Sequence, residues 1–157
     1  MKTILQLLEA NSRLTPEDLA AMCNLPVEDV KTQIAQWEAN GTILAYRTLI
    51  DWDKTDREYV SAIIELKVSP QKDRGFDSIA EKIYRYPEVQ SVYLMSGSYD
   101  LSLIIEGKTL REVAYFVSSK LATIDAVVST ATHFVLKKYK NNGVIYHAPE
   151  EDERGYM

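Results

Sequence analysis

Apolar residues recur at helical spacing in the first part of the chain and are interrupted by helix-capping residues. Four of them lie between residues 4 and 8 (ILQLL), which predicts a first helix that ends near Asn11 or Ser12. Residues 15–18 (TPED) supply a helix start, with threonine as the N-cap, proline at the first helical position and aspartate at the capping-box position. This second helix should stop at residues 24–26 (NLP), because a residue before proline disfavours helical angles.

A third helix is predicted to open at Pro26 and to end at Asn40 and Gly41 with a left-handed cap. Its apolar stripe consists of Val30, Ile34 and Trp37. The following residues 42–51 (TILAYRTLID) are typical of a small pair of strands. Three short helices and such a strand pair predict a winged helix-turn-helix.

The second part of the chain alternates between strand and helix patterns. Period-two alternation predicts strands in residues 59–68, on both sides of a turn in residues 91–106, and in residues 126–139. Amphipathic helical spacing marks residues 76–84 and 109–121. The resulting order βαββαβ predicts a ferredoxin-like domain with both helices on one face of the sheet, and the whole chain is therefore of the α+β class.

The turn at residues 97–100 (GSYD) separates the two strands of the predicted hairpin. Gly97 can adopt positive φ, and Asp100 can accept hydrogen bonds from nearby backbone amides. Asp100 therefore either ties down its own turn or, together with the Tyr99 phenol, lines a small-ligand site.

The sheet face away from the helices is predicted to carry apolar side chains. These are Tyr93, Met95, Ile104 and Val135. An apolar sheet face is most simply buried against a copy of itself, which predicts a homodimer.

Polar stretches set the expected domain boundaries. We expect a DNA-binding domain in residues 1–51, a linker in residues 52–58, the ferredoxin-like domain in residues 59–140 and a C-terminal segment in residues 141–157. The last segment includes the charge run PEEDER, which favours a flexible acidic tail.

Composition narrows the class of protein. No apolar run reaches the roughly 18 residues of a membrane span, and the N-terminus does not fit a signal peptide, so we expect a cytoplasmic protein without membrane contact. Cys23 is the only cysteine, which excludes an internal disulfide and a cysteine-based zinc cluster. The net charge of −5 argues against nucleic-acid binding by bulk electrostatics alone.

Three motifs resemble the Lrp/AsnC family of "feast/famine" regulators at that family's spacing. They are Glu38, Gly41 and Ile43 at the end of the third helix, DLA in residues 18–20, and GxYD in residues 97–100. The resemblance covers about residues 1–140. It implies a winged helix-turn-helix followed by a RAM/ACT-like effector domain, and a transcriptional regulator whose dimers assemble into tetramers or octamers.

A recognition helix reads base edges in the major groove. The positions expected to face double-stranded DNA are Val27, Glu28, Lys31, Thr32, Gln33 and Gln36, with Arg47 in the wing. Gln33 can bond adenine through two hydrogen bonds, and Lys31 is the one cation of this set on the helix. The resembled family often has arginine where Thr32, Gln33 and Gln36 stand.

Residues 1–55 contain five cations and eight acids, so few phosphates can be neutralised per subunit. Oligomerisation would multiply weak contacts through effective concentration. The alternative is that the helical domain serves assembly or a partner and has lost strong DNA binding.

The resemblance also implies a small effector, commonly an amino acid, bound near the GxYD turn and the last strand. The implied residues are Gly97, Ser98, Tyr99, Asp100, Thr130 and Thr132. Asp100 could accept from an α-ammonium group, whereas an α-carboxylate needs backbone amides or hydroxyls. Ordinary β-propensity is the alternative explanation for the two threonines.

No cofactor, metal site or enzymatic activity is expected. His133 has no second ligand at metal-site spacing, so a packing role on its strand is favoured. The chain also offers no nucleophile beside a base and no glycine-rich phosphate loop.

Overall fold

The computed structural model describes residues 3–69 and 75–146, and the chain divides into two compact units at Ile50 and Asp51. The predicted acidic tail lies outside the described residues. Each unit is built around its own cluster of buried apolar side chains.

The first unit contains three helices, α1 (Ile4–Ala10), α2 (Pro16–Cys23) and α3 (Val27–Ala39). Their core is formed by side chains from all three helices, with Leu19 and Val30 fully buried. The predicted start of α2 is confirmed, because the Thr15 Oγ1 accepts from the Asp18 N–H at 3.1 Å and the Asp18 carboxylate accepts from the Thr15 N–H at 2.9 Å. Pro26 is the N-cap of α3 and not its first helical residue.

The end of α3 agrees with the sequence prediction, whereas the wing does not. Gly41 has φ of +75°, which is the expected left-handed cap. Residues 44–50 form no strand, so the predicted strand pair in residues 42–51 is wrong. The segment has no glycine or asparagine at its centre to make a tight hairpin, and its side chains are exposed, with Leu44 at 90%. The phenol of Tyr46 donates to Glu38 Oε1 at 2.9 Å.

The second unit contains a four-stranded antiparallel sheet in the order β2-β3-β1-β4. The strands are β1 (Val60–Val68), β2 (Val89–Leu94), β3 (Leu101–Gly107) and β4 (Val127–Phe134). Helices α4 (Asp77–Tyr84) and α5 (Leu110–Phe116), the latter continued by a π-helical segment (Val117–Leu121), pack their apolar side chains against one face of this sheet. This strand order is that of the predicted ferredoxin-like arrangement.

Alternation along β1 separates the two faces of the sheet. Ala62, Ile64 and Leu66 are completely buried beneath the helices, as the period-two pattern predicts. The opposite face carries Ile63, which is 40% exposed and pairs with Ile104 and His133. Glu65 and Lys67 share that face, so its surface is apolar in part and charged in part.

The end of the second unit differs from the prediction. The sequence pattern predicts a long last strand over residues 126–139, but β4 ends at Phe134. A short hairpin then follows, formed by β5 (Lys140–Asn141) and β6 (Val144–Ile145). Asn142 and Gly143 both have positive φ, so this dipeptide forms the tight connection of the hairpin.

Candidate effector and nucleic-acid sites

The loop between β2 and β3 is fastened to the end of β1. The Met95 N–H donates to the Asp100 carbonyl at 2.8 Å and closes the loop. The Asp100 N–H donates to the Leu66 carbonyl at 2.9 Å, and Asp100 Oδ2 accepts from the Val68 N–H at 2.8 Å. The carboxylate thus accepts from the neighbouring strand, whereas the first of the two sequence-based alternatives has it bonded within its own turn.

The tip of this loop is open to solvent. Gly97 has φ of +144°, as expected for this position, and a Cβ there would meet no atom within 4 Å. Ser98 is exposed, and Tyr99 and Asp100 are half-buried. The positive φ, and not a lack of space for a side chain, therefore explains why residue 97 is a glycine.

The two threonines of β4 lie on the other side of β1 from the loop. Thr130 pairs with Leu66, the residue whose carbonyl holds Asp100, and Thr132 pairs with Ile64. Both threonines are half-buried on the side of the sheet that the helices cover. The structure therefore brings the loop and Thr130 to one end of the sheet. Thr132 lies two residues further along β4 from that end.

The polar surface of α3 contains most of the positions expected to face DNA. Glu28, Lys31, Thr32, Gln33 and Gln36 are exposed, and so is Arg47 beyond the helix. Val27 is an exception, because its half-buried side chain packs against the core of the first unit. The prediction that Val27 points outward is therefore wrong: the residue at the start of α3 belongs to the apolar stripe of that helix.

Lys31 is engaged by two carboxylates. Its Nζ lies 3.0 Å from Glu28 Oε1 on the same helix and 3.8 Å from Glu17 Oε1 on α2. The hydrogen bond and charge of Glu28, with a smaller contribution from Glu17, raise the pKa of Lys31. The hydroxyl of Thr32 is also hydrogen-bonded within the helix, because it donates to the Glu28 carbonyl at 2.8 Å.

A polar network at the far end of the sheet was not predicted. Lys138 Nζ donates to the Tyr59 hydroxyl at 2.6 Å, and this hydroxyl donates to Glu106 Oε1 at 2.8 Å. Burial, followed by the bond to Glu106, raises the pKa of Tyr59. Arg57 lies 4.2 Å above the Trp52 ring, within the segment expected to be a linker, where Trp52–Lys54 form a 3-10 turn. No local sequence signal joins these residues, because Tyr59 and Lys138 are 79 positions apart.

His133 forms a contact across the exposed face of the sheet. Its Nε2 lies 3.5 Å from Glu65 Oε2, on the neighbouring strand β1. In residues 3–69 and 75–146, no group of three or more histidine, cysteine, aspartate or glutamate side chains could hold a metal ion. The same ranges contain no helix with the length and apolarity needed to cross a membrane.

Comparison with known proteins identifies the family. A family model described as the Lrp/AsnC ligand binding domain matches residues 61–145. A curated relative from Bacillus subtilis, the uncharacterized HTH-type transcriptional regulator YugG, is 51% identical over 96% of this chain and 92% of its own. The chain belongs to the Lrp/AsnC family, whose members are transcriptional regulators and not enzymes. The predicted family is thereby confirmed.

Solved structures of regulators share the fold of this chain. The transcriptional regulator NMB0573 of Neisseria meningitidis, solved as a complex with L-Met, is 26% identical, covers 88% of both chains and gives a TM-score of 0.72. AsnC of Escherichia coli is 22% identical, covers 86% of this chain and 89% of its own, and gives a TM-score of 0.67. The second likeness concerns the fold alone.

Proposed function

We propose that the protein is a sequence-specific DNA-binding regulator of transcription whose DNA affinity or oligomeric state responds to a small effector, an amino acid. The proposed binding of an effector rests on one observation: the GxYD loop is attached to β1 beside Thr130. A fixed loop at the end of a sheet, with a carboxylate, a phenol and a neighbouring hydroxyl, has the polar groups that orient a small zwitterion.

The chemistry of these groups matches an amino acid. A carboxylate has several lone pairs, so Asp100 can hold the Val68 N–H and still accept from an α-ammonium group. The exposed loop amides and Ser98 are donors for an α-carboxylate. The L-Met complex of NMB0573, a relative with the same fold, supports an amino acid as the effector class.

DNA recognition is assigned to the exposed face of α3. Gln33 and Gln36 are uncharged amides that can form paired hydrogen bonds with adenine, and Arg47 is an exposed cation beyond the helix. Assembly through the sheet face around Ile63 would give a homodimer, and further association would give a tetramer or an octamer. An effector that prefers one assembly shifts the population toward it by no more than that preference.

A specific observation favours a second candidate, an oligomeric small-molecule sensor that has lost strong DNA binding. Lys31 on α3 is paired with Glu28 and Glu17, and residues 1–55 carry more acids than bases. Such a surface holds few phosphates.

Binding of the full chain to a duplex from its own upstream region, measured at increasing salt against a scrambled duplex, separates the two candidates. The regulator prefers the upstream duplex, and Gln33→Ala lowers that preference by about 1–3 kcal/mol. Equal and negligible binding of both duplexes at low salt supports the sensor. Calorimetry with each of the twenty amino acids tests the effector assignment separately, and the absence of heat with all of them would contradict it.

A further inference from the structure

Lys31 joins the two helices of the predicted helix-turn-helix through carboxylates at the start of each. Glu17 stands in the first turn of α2 and Glu28 in the first turn of α3, and both reach the Lys31 ammonium. Asp18 and Asp29 stand in the same first turns. The Lys31 side chain is nevertheless 47% exposed, so the ammonium is within reach of an approaching polyanion.

We infer that Glu17 and Glu28 are specificity-determining residues, which withhold Lys31 from the phosphates of arbitrary DNA and thereby weaken sequence-independent binding. This inference rests on the proposed function. Phosphate contacts carry no sequence information and supply essentially all of non-specific affinity, whereas uncharged amides such as those of Gln33 and Gln36 contact base edges. Carboxylates that compete for Lys31 therefore lower the affinity for a duplex that engages α3 through phosphates alone, whereas a duplex held by the base contacts of these amides keeps a phosphate beside Lys31 and displaces the carboxylates.

The ion pairs of Lys31 with Glu17 and Glu28 are weak enough to be reversible. Exposed ion pairs are weak because water screens them, so a duplex that base contacts hold against α3 can displace the carboxylates, whereas a duplex held by phosphates alone displaces them only in part. Each phosphate that a protein neutralises contributes about 0.9 to the slope of log affinity against log salt, which corresponds to about threefold in affinity over a fourfold change in salt. The release of Lys31 should be visible on this scale.

The alternative role for the pairs is to hold α2 against α3. The buried core already connects these helices through Leu19 and Val30, and both carboxylates are largely solvated. A structural role would change the melting temperature without changing the salt slope, so the two roles give different readouts.

The test uses the full-length chain, fluorescence anisotropy, and two fluorescent duplexes, the upstream region and a scrambled version, over a series of salt concentrations. Glu17→Gln and Glu28→Gln should each raise low-salt affinity for the scrambled duplex by up to about threefold and steepen its salt slope by up to about 0.9 per engaged subunit, since a single ammonium is released and one carboxylate remains near it in each variant. In both variants, the ratio of the affinity for the upstream duplex to the affinity for the scrambled duplex should fall. Asp29→Asn is the matched control, because it removes a charge from the same first turn of α3 that carries Glu28, but it frees no lysine.

The same two substitutions made in a Lys31→Gln chain complete a double-mutant cycle. There the gain and the steeper slope of Glu17→Gln and Glu28→Gln should vanish, because no ammonium remains to be released. Equal gains with and without Lys31, or an equal change of slope in Asp29→Asn, would overturn the inference and indicate bulk charge. If no variant and no wild-type chain binds either duplex at the lowest salt, the proposed DNA-binding function itself is overturned.

Discussion

Asp100 Oδ2 and the Val68 backbone N–H are joined by a hydrogen bond of 2.8 Å that fastens the GxYD loop to the end of β1. The residue that the family resemblance assigns to the effector is therefore also a structural anchor of its own sheet. Loss of the side chain and loss of its charge should have different consequences, which makes the two roles separable.

Asp100→Ala should lower the free energy of unfolding by about 1–3 kcal/mol, because the partly buried Val68 N–H loses its acceptor. Asp100→Asn keeps an oxygen at that position and should be close to wild type in stability. It nevertheless lacks the charge that an α-ammonium group requires. Urea unfolding measures the first effect, and amino-acid calorimetry measures the second. An Asp100→Asn chain that binds amino acids like wild type would remove Asp100 from the effector site.

The capping box of α2 makes the first unit sensitive to acid. Hydrogen bonds from the Thr15 side chain, and then from its backbone, hold the pKa of Asp18 below its ordinary value of 3.8. The ionised carboxylate is thus favoured in the folded state, and its contribution to stability is complete above pH 3.8 and is lost as the pH falls below that value. Circular dichroism melts across this range should show a smaller acid loss in Asp18→Asn than in wild type. Identical pH dependence in both would contradict the cap's role.

Tyr59→Phe removes the hydroxyl that links Lys138 to Glu106 across the far end of the sheet. The expected cost is about 1–2 kcal/mol of unfolding free energy, since both partners lose a half-buried contact while the ring remains. Tyr139→Phe, at an exposed tyrosine, is the matched control and should be neutral. Chemical denaturation that finds the two variants equally stable would show that the network contributes nothing.

Ile63→Lys tests assembly through the exposed face of the sheet. A lysine at the centre of this face would be desolvated on association and should weaken the homodimer by at least about tenfold in dissociation constant. Leu110→Lys, at an exposed leucine on α5 with 56% exposure, should leave association unchanged. Sedimentation velocity over a range of concentrations measures both, and a dimer of wild-type strength in Ile63→Lys would place the interface elsewhere.

Local signals in the sequence were sufficient for the helix starts and for the buried face of the sheet. The threonine and aspartate at the start of α2 accept from backbone amides of its first turn, and the proline there has no N–H that needs a partner. The alternation along β1 leaves only one face for the helices to cover. The family motifs added the candidate sites, which no spacing rule alone would have defined.

Other features depended on contacts that the sequence does not encode locally. The bond from Asp100 to Val68 and the network of Tyr59, Lys138 and Glu106 join positions that are far apart in the chain. The residues of the expected wing match strand composition but find no partner strand. The hairpin of β5 and β6 did carry a signal, the Asn142 and Gly143 pair, which the polar composition of its surroundings obscured.

The proposed function requires that one chain couples an amino-acid site near Asp100 to DNA recognition by α3. The most direct measurement is the affinity of the full chain for its upstream duplex with and without the amino acid that gives heat in calorimetry, together with the reverse titration on the DNA complex. Thermodynamic linkage predicts that the amino acid changes DNA affinity by the same factor by which DNA changes amino-acid affinity, about 5-fold to 150-fold for a typical coupling. Affinities that do not change in either direction would contradict the account.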